Sequence, residues 1–134
     1  MDFAVGIGRT ESITEVGDHA RVAEQSGFKY VSVVDIPFLG REVDSMMTMA
    51  ALNTEKVLIG QGVTDPVTRH PLVSANASAT IDELSGGRAF VGIGTGGPWG
   101  KPMTKPAKLA ELREAVTFIK RYTAGEVVEW RGVK

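Results

Sequence analysis

The sequence predicts an α/β chain of about four βα units around parallel strands. Three observations predict it. Short, apolar strand-like runs begin near residues 3, 30, 57 and 89, spaced 27, 27 and 32 residues apart. Each is followed by a segment of helical periodicity. The strands read as nearly unbroken apolar runs, which is the pattern of strands covered on both faces, and right-handed crossovers then make the sheet parallel.

Phe3 to Gly8 forms the first strand. Ser12 and Glu15 have the spacing of a capping box, in which each side chain satisfies a free backbone N–H. The helix that follows carries Ile13, Val16, Ala20 and Ala23 on one stripe, and Gly27 ends it. His19 falls off that stripe and reads as a solvated side chain. Tyr30 to Asp35 is the second strand, ending in a carboxylate followed by Ile36–Pro37–Phe38. A loop runs on to Asp44. The second helix spans Ser45 to Thr54, with Met46, Met49, Ala50 and Leu52 facing inward; its methionines read as core filling, because thioethers suit irregular gaps.

Val57 to Val63 is the third strand, with Gly60 and Gly62 allowing close approach to its backbone. Pro71 opens a helix, where its missing N–H costs nothing, and Gly86–Gly87 stop it. That helix is rich in Ser and Ala, which lets it sit close to a sheet. Ala89 to Gly94 is the fourth strand. The last helix runs from about Pro106 to Thr123, with Leu109, Leu112, Val116 and Ile119 as its apolar stripe and Lys120 and Arg121 in its last turn, favourable to the helix dipole. Val127 to Trp130 has the composition of a further extended segment.

Bulk properties narrow the function. The chain has 134 residues, 43% hydrophobic and 23% charged, which fits one ordinary globular domain over 1–134. A formal charge of −1 gives no bulk attraction to nucleic acid or an anionic membrane. With no cysteine, disulfides, thiol nucleophiles and thiolate metal sites are excluded. No metal-binding spacing is present, no apolar run has the length of a membrane span, and Met1 leads at once into a strand, so the expected location is cytoplasmic.

Four βα units permit a small doubly wound sheet or the first half of an eight-unit barrel. In both, the C-terminal strand ends converge on one face and bring together Gly6–Arg9, Asp35–Ile36, Gly62–Asp65 and Gly94–Gly97. The glycines concentrate where a flat or phosphorylated ligand needs bare backbone, although strand ends also need turns. Gly92, Gly94 and Gly97 fit G-x-G-x-x-G, but Pro98–Trp99–Gly100 follow instead of a helix, so a dinucleotide fold is poorly supported. Asp35 is the best-placed candidate for acid/base work; pairing with Arg9 or a helix N-terminus is the equal alternative. His70 reads as a helix cap sooner than a ligand contact. Asp82, Glu83 and Arg88 read as an ion-paired helix end.

G-Q-G-V-T-D-P-V-T-R-H-P, A-T-I-D-E-L-S-G-G-R and V-G-I-G-T-G-G together resemble the bacterial luciferase-like superfamily, in its branch of F420-dependent methylenetetrahydromethanopterin reductases. The resemblance spans the chain and implies the N-terminal half of a (β/α)8 TIM barrel. It further implies a flavin- or deazaflavin-dependent oxidoreductase or monooxygenase that moves hydride between coenzyme F420 (alternatively FMN) and a small organic substrate. The bond Gly62–Val63 matches a non-prolyl cis peptide behind the cofactor ring. By the same resemblance Asp35 is the catalytic candidate, and Gly62, Val63, Thr64, Asp65, Gly94, Thr95 and Gly96 are the cofactor contacts. Ile36 and Gly6 stand where relatives carry histidine and glutamate, so two proton-handling groups are missing. The implied partners are a small-molecule substrate and either a second copy or the C-terminal half of the barrel. The rival readings are a non-catalytic half barrel that needs a partner half, and a small doubly wound binding module.

Overall fold

The computed structural model describes residues 1–8, 12–97 and 105–132. The element order is β1 (Ala4–Ile7), α1 (Ile13–Gln25), β2 (Tyr30–Val33), α2 (Val43–Leu52), β3 (Leu58–Thr64), α3 (Pro71–Ser85), β4 (Ala89–Ile93) and α4 (Leu109–Thr123). All neighbouring strands pair in parallel, in the order β1-β2-β3-β4. Each strand lies beside the one before it, with no reversal. A doubly wound sheet needs a reversal to place helices on both faces. This sheet is singly wound, as a barrel wall is.

The strands alternate accordingly. Val31, Val33 and Ile59 are fully buried on the helix side, packed with Val16, Ala20, Met46, Met47 and Ala50. The opposite face carries Tyr30 and Phe90, edge to face at 5.9 Å, together with Ser32 and the strand glycines. A second cluster joins Ala75 of α3 to Ala115, Phe118 and Ile119 of α4 and to Trp130.

Several element ends differ from the sequence expectation. The second helix starts at Val43, not Ser45, because the Glu42 carboxylate accepts from the Ser45 N–H at 2.8 Å and caps it. The inward face is Val43, Met46, Met47, Ala50 and Ala51 in place of the expected Met46, Met49, Ala50 and Leu52, and Leu52 is 62% exposed. The last helix starts at Leu109, where the Lys108 N–H donates to Glu111 at 2.8 Å. Its buried residues are Ala115, Phe118 and Ile119, while Leu109 faces solvent. Ser12 does cap α1, accepting from the Thr14 N–H. Residues 127–130 add no strand to the sheet; Trp130 is instead buried against Phe118 and the His70 ring. Among the described residues no helix is long and apolar enough to cross a membrane.

The end of the sheet where strands begin is fixed by two charged side chains. Glu24 accepts the backbone N–H groups of Glu55, Lys56 and Val57. Arg88 donates to the carbonyls of Ala51, Thr54, Val57 and Ser85. The expected ion-paired helix end is therefore replaced: Arg88 is bound to carbonyls, and Asp82 accepts from the Ala89 N–H at 2.9 Å. Partial burial pushes the Glu24 carboxyl up, but the three N–H donors, with Arg88 nearby, outweigh it and hold the group below its ordinary range. A carboxylate whose pKa is lowered by folding stabilises the fold above its unfolded pKa, and that stabilisation is lost as pH falls through the folded value. Glu24→Gln is thus expected to lower the urea midpoint at neutral pH. The gap to the unsubstituted chain should close as the titration is taken down through the carboxylate range.

Candidate active site at the C-terminal strand ends

The opposite end of the sheet holds the candidate site. Between β3 and β4 the register shifts at Gln61/Thr64. The Gly62–Val63 peptide bond there is cis, the isomer the resemblance implies. Beyond the shift, the Gly94 N–H donates to the Thr64 carbonyl at 2.9 Å and rejoins the two strand ends.

Val63 is 53% exposed at this point. Its two methyl groups lie over β4: a Cβ built on Gly92 would sit 3.3 Å from one, and a Cβ on Gly94 3.2 Å from the other. The glycines of the face therefore divide by purpose. At Gly60 a Cβ would overlap the Phe90 carbonyl and ring, and at Gly92 the Gln61 carbonyl. At Gly62 it would come within 2.5 Å of the Ser32 Cβ. Gly96 has φ +76, and a side chain there would meet Asp65 at 2.9 Å. These glycines admit neighbouring protein. Gly6 and Gly8 do not: a Cβ would find only ordinary contacts, at 3.6 Å and 3.9 Å. Their backbone is bare toward open space.

The sequence-predicted residues fall into two groups. Gly62, Val63, Gly94, Thr95 and Gly96 come together along the β3–β4 rim. Thr64 and Asp65 adjoin them, but their side chains are engaged. Thr64 is fully buried, and its hydroxyl donates to Asp35 at 2.7 Å. The Asp65 carboxylate accepts from the Val67 and Thr68 N–H groups and from the Thr68 hydroxyl, closing a turn. His70 caps α3, its Nδ1 accepting from the Leu72 N–H at 3.1 Å. Arg9, Pro98, Trp99 and Gly100 lie outside the described residues.

Asp35 sits behind this wall with its side chain 3% exposed. Its partner is Arg69, whose Nε donates at 3.1 Å and Nη2 at 3.4 Å. Arg69 also donates through Nη1 to Asp44 at 3.0 Å and through Nη2 to Glu42 at 3.1 Å. Sequence reasoning missed Arg69 and both of these carboxylates; the only signal was a cation in a loop between two strand ends that carry acids. Burial works against the Arg69 charge, but the hydrogen bond and field of Asp35, with the fields of Asp44 and Glu42, outweigh it and hold the guanidinium above its ordinary range. Burial pushes the Asp44 carboxyl up, and Arg69 only partly offsets the rise. Partial burial acts the same way on Glu42, but the Ser45 and Asp44 N–H groups and Arg69 hold it low. Beneath them Gln61 is fully buried, donating to Ser78 at 3.3 Å, with its Oε1 unpartnered.

Among the described residues no group of three or more acidic, histidine or cysteine side chains could hold a metal. Three cavities, of about 480, 300 and 690 Å3, lie along α4 and the edge of β4 rather than at the strand ends.

The family model of luciferase-like monooxygenases matches residues 1–133. A 5,10-methylenetetrahydromethanopterin reductase of Archaeoglobus fulgidus is 38% identical, over 98% of this chain and 40% of that protein. An F420-dependent hydroxymycolic acid dehydrogenase of Mycobacterium tuberculosis is 34% identical, over 85% of this chain and 36% of its own length. The solved coenzyme F420 dependent tetrahydromethanopterin reductase of Methanopyrus kandleri superposes with a TM-score of 0.85 at 31% identity, covering 98% of this chain and 42% of that one. The chain thus spans about two-fifths of the length of the relatives it matches, and its four βα units are those of the first half of a (β/α)8 barrel.

Proposed function

The chain belongs to the luciferase-like monooxygenase family, and from that membership we propose that the whole protein is an F420-dependent oxidoreductase acting on a small organic substrate. Residues 1–134 would then be the N-terminal part of one oxidoreductase domain. The observation that carries this reading is the Val63 wall: an exposed apolar side chain seated over Gly92 and Gly94, with the bare backbone of Gly6 and Gly8 on the same sheet face. A flat ring system suits such a surface, since it offers dispersion contact without side chains standing in the way. The relatives whose names specify F420 support the deazaflavin over FMN.

Gly62, Val63, Gly94, Thr95 and Gly96 would hold the ring. Thr64 and Asp65 would contribute backbone and turn shape, because their side chains are engaged elsewhere. Bound F420 would supply the hydride chemistry, and the protein the orientation and the exclusion of water. Asp35 would act on the site through Thr64, whose hydroxyl it fixes from behind. The facing wall would come from a second half of the barrel or a second copy, and the edge of β4, which pairs with no other strand among the described residues, is where a further strand would join.

The test is a titration of the whole protein with oxidised F420, followed by its fluorescence, with FMN as competitor. Saturable quenching that FMN does not displace is the expected result. Saturation by FMN alone would reassign the cofactor, and binding of neither would reject the reading.

A further inference from the structure

Arg69 sits where two loops of the candidate site meet. It belongs to the loop between β3 and α3. Within the connection between β2 and α2, the segment 36–41 has acids on both sides of it: Asp35 before it, and Glu42 and Asp44 after it. All three carboxylates bind the same guanidinium, at 3.0–3.1 Å for the shortest bond to each. Both ends of loop 36–41 are therefore tied to one side chain, and that side chain is 17% exposed. Within the loop, the Leu39 and Gly40 N–H groups both donate to the Ile36 carbonyl, and Phe38 and Leu39 are 46% and 55% exposed. The loop follows the C-terminal end of β2, so these two apolar side chains stand on the same end of the sheet as Val63.

We infer that Arg69 is a positioning residue: it clamps the β2–α2 loop to the β3–α3 loop and so fixes the Phe38–Leu39 rim relative to the Val63 wall. The geometry requires arginine. A guanidinium is planar and offers five donors in a fixed fork, so one side chain can address three carboxylates from three directions. A lysine ammonium is a compact point charge that cannot span them. The cluster also carries more negative than positive charge. Its acids come from the end of β2 and the start of α2; β3 contributes Thr64 and Gln61, and α3 contributes Ser78. Arg69 is the cation that Asp35 and Asp44 share, and losing it would leave those acids to repel one another. Beyond the larger effect of burial, the fields of Glu42 and Asp35 also push the Asp44 carboxyl up, against the pull of Arg69.

The inference rests on the reading of this face as the cofactor site, and the test separates the two. Arg69→Lys is compared with the full unsubstituted chain by amide hydrogen exchange and by F420 binding. Arg121→Lys, at the exposed pair with Glu126, serves as control. Exchange in 36–41 and 65–70 is expected to accelerate about tenfold or more, with β1 and α4 unchanged, and F420 affinity to fall about tenfold. Unchanged exchange in both loops, or a uniform rise across the chain, would overturn the clamp. If R69K does not fold, Glu42→Gln weakens the half-exposed anchor together with the cap of α2 and should speed exchange in 36–41 and in the first turn of α2, with β1 and α4 unchanged; no change in 36–41 overturns the inference equally. If the unsubstituted chain binds no F420, the functional reading fails, while the exchange data still decide the clamp.

Discussion

Gly92→Ala is expected to cost about 3 kcal/mol or more of stability, while Gly6→Ala leaves the fold intact. Both residues are strand glycines on the same sheet face, and local sequence does not tell them apart. At Gly92 an added Cβ would overlap the Gln61 carbonyl, a backbone atom of the neighbouring strand that no rotamer change can move. Relief requires separating β3 from β4 where their register already shifts. Overpacking against mobile side chains costs about 1–3 kcal/mol, and a backbone obstacle belongs at or above the top of that range. Against a total stability of about 5–15 kcal/mol, that is enough to depopulate the native state in a marginal chain. At Gly6 the Cβ would meet only the Ser32 hydroxyl, at 3.6 Å. Alanine there reduces the freedom of the unfolded chain and should stabilise by up to about 1 kcal/mol. Urea unfolding of the two variants measures both effects. If Gly6 is bare for the sake of a ligand, Gly6→Ala will lose F420 affinity despite its stable fold. Equal midpoints for the two variants would contradict this division of the glycines.

That contrast marks the limit of what the sequence shows. The positions of the four strands and the helix from Pro71 to Ser85 are legible because apolar periodicity, proline and glycine act locally. The inward face of α2 is not, because six of the seven residues from Met46 to Leu52 are apolar and periodicity singles out no stripe; its start is hidden because Glu42 is a less usual cap than the serine three residues on. The choice between a singly and a doubly wound sheet is not legible either: it depends on which strands pair, a long-range property that local pattern leaves open. Asp35 stands out as a carboxylate at a strand end. Its partner could not be found by proximity along the chain, since Arg69 lies 34 residues away and reaches it only once β2 and β3 are paired. Gly60, read as room for an approaching group, does have that role, but the group is the Phe90 ring of the next strand.

Asp35 is where stability and function are hardest to separate, and two substitutions separate them. Asp35→Ala removes the partner of the Arg69 Nε and the acceptor of the Thr64 hydroxyl. Breaking a buried ion pair from one side costs about 3–5 kcal/mol, because a charge is left uncompensated. Here Arg69 keeps Asp44 and Glu42, so the expected loss is about 3 kcal/mol, at the lower end. Asp35→Asn keeps the volume and one acceptor oxygen, but its NH2 group faces Arg69 Nη2 in one orientation and both Arg69 Nε and the Thr64 hydroxyl in the other; it should cost about 1.5–3 kcal/mol, as for a hydrogen bond to a charged group. The functional outcomes diverge further. If Asp35 carries a proton in the reaction, D35N will bind F420 normally, and turnover will collapse with its pH profile flattened. If Asp35 holds Thr64 and Arg69 in place, D35N will bind F420 more weakly, and the bound enzyme will turn over at close to the usual rate with an unchanged pH profile. The second outcome is expected, because with a side chain 3% exposed behind Thr64 the carboxylate has no open path to a substrate on the Val63 face.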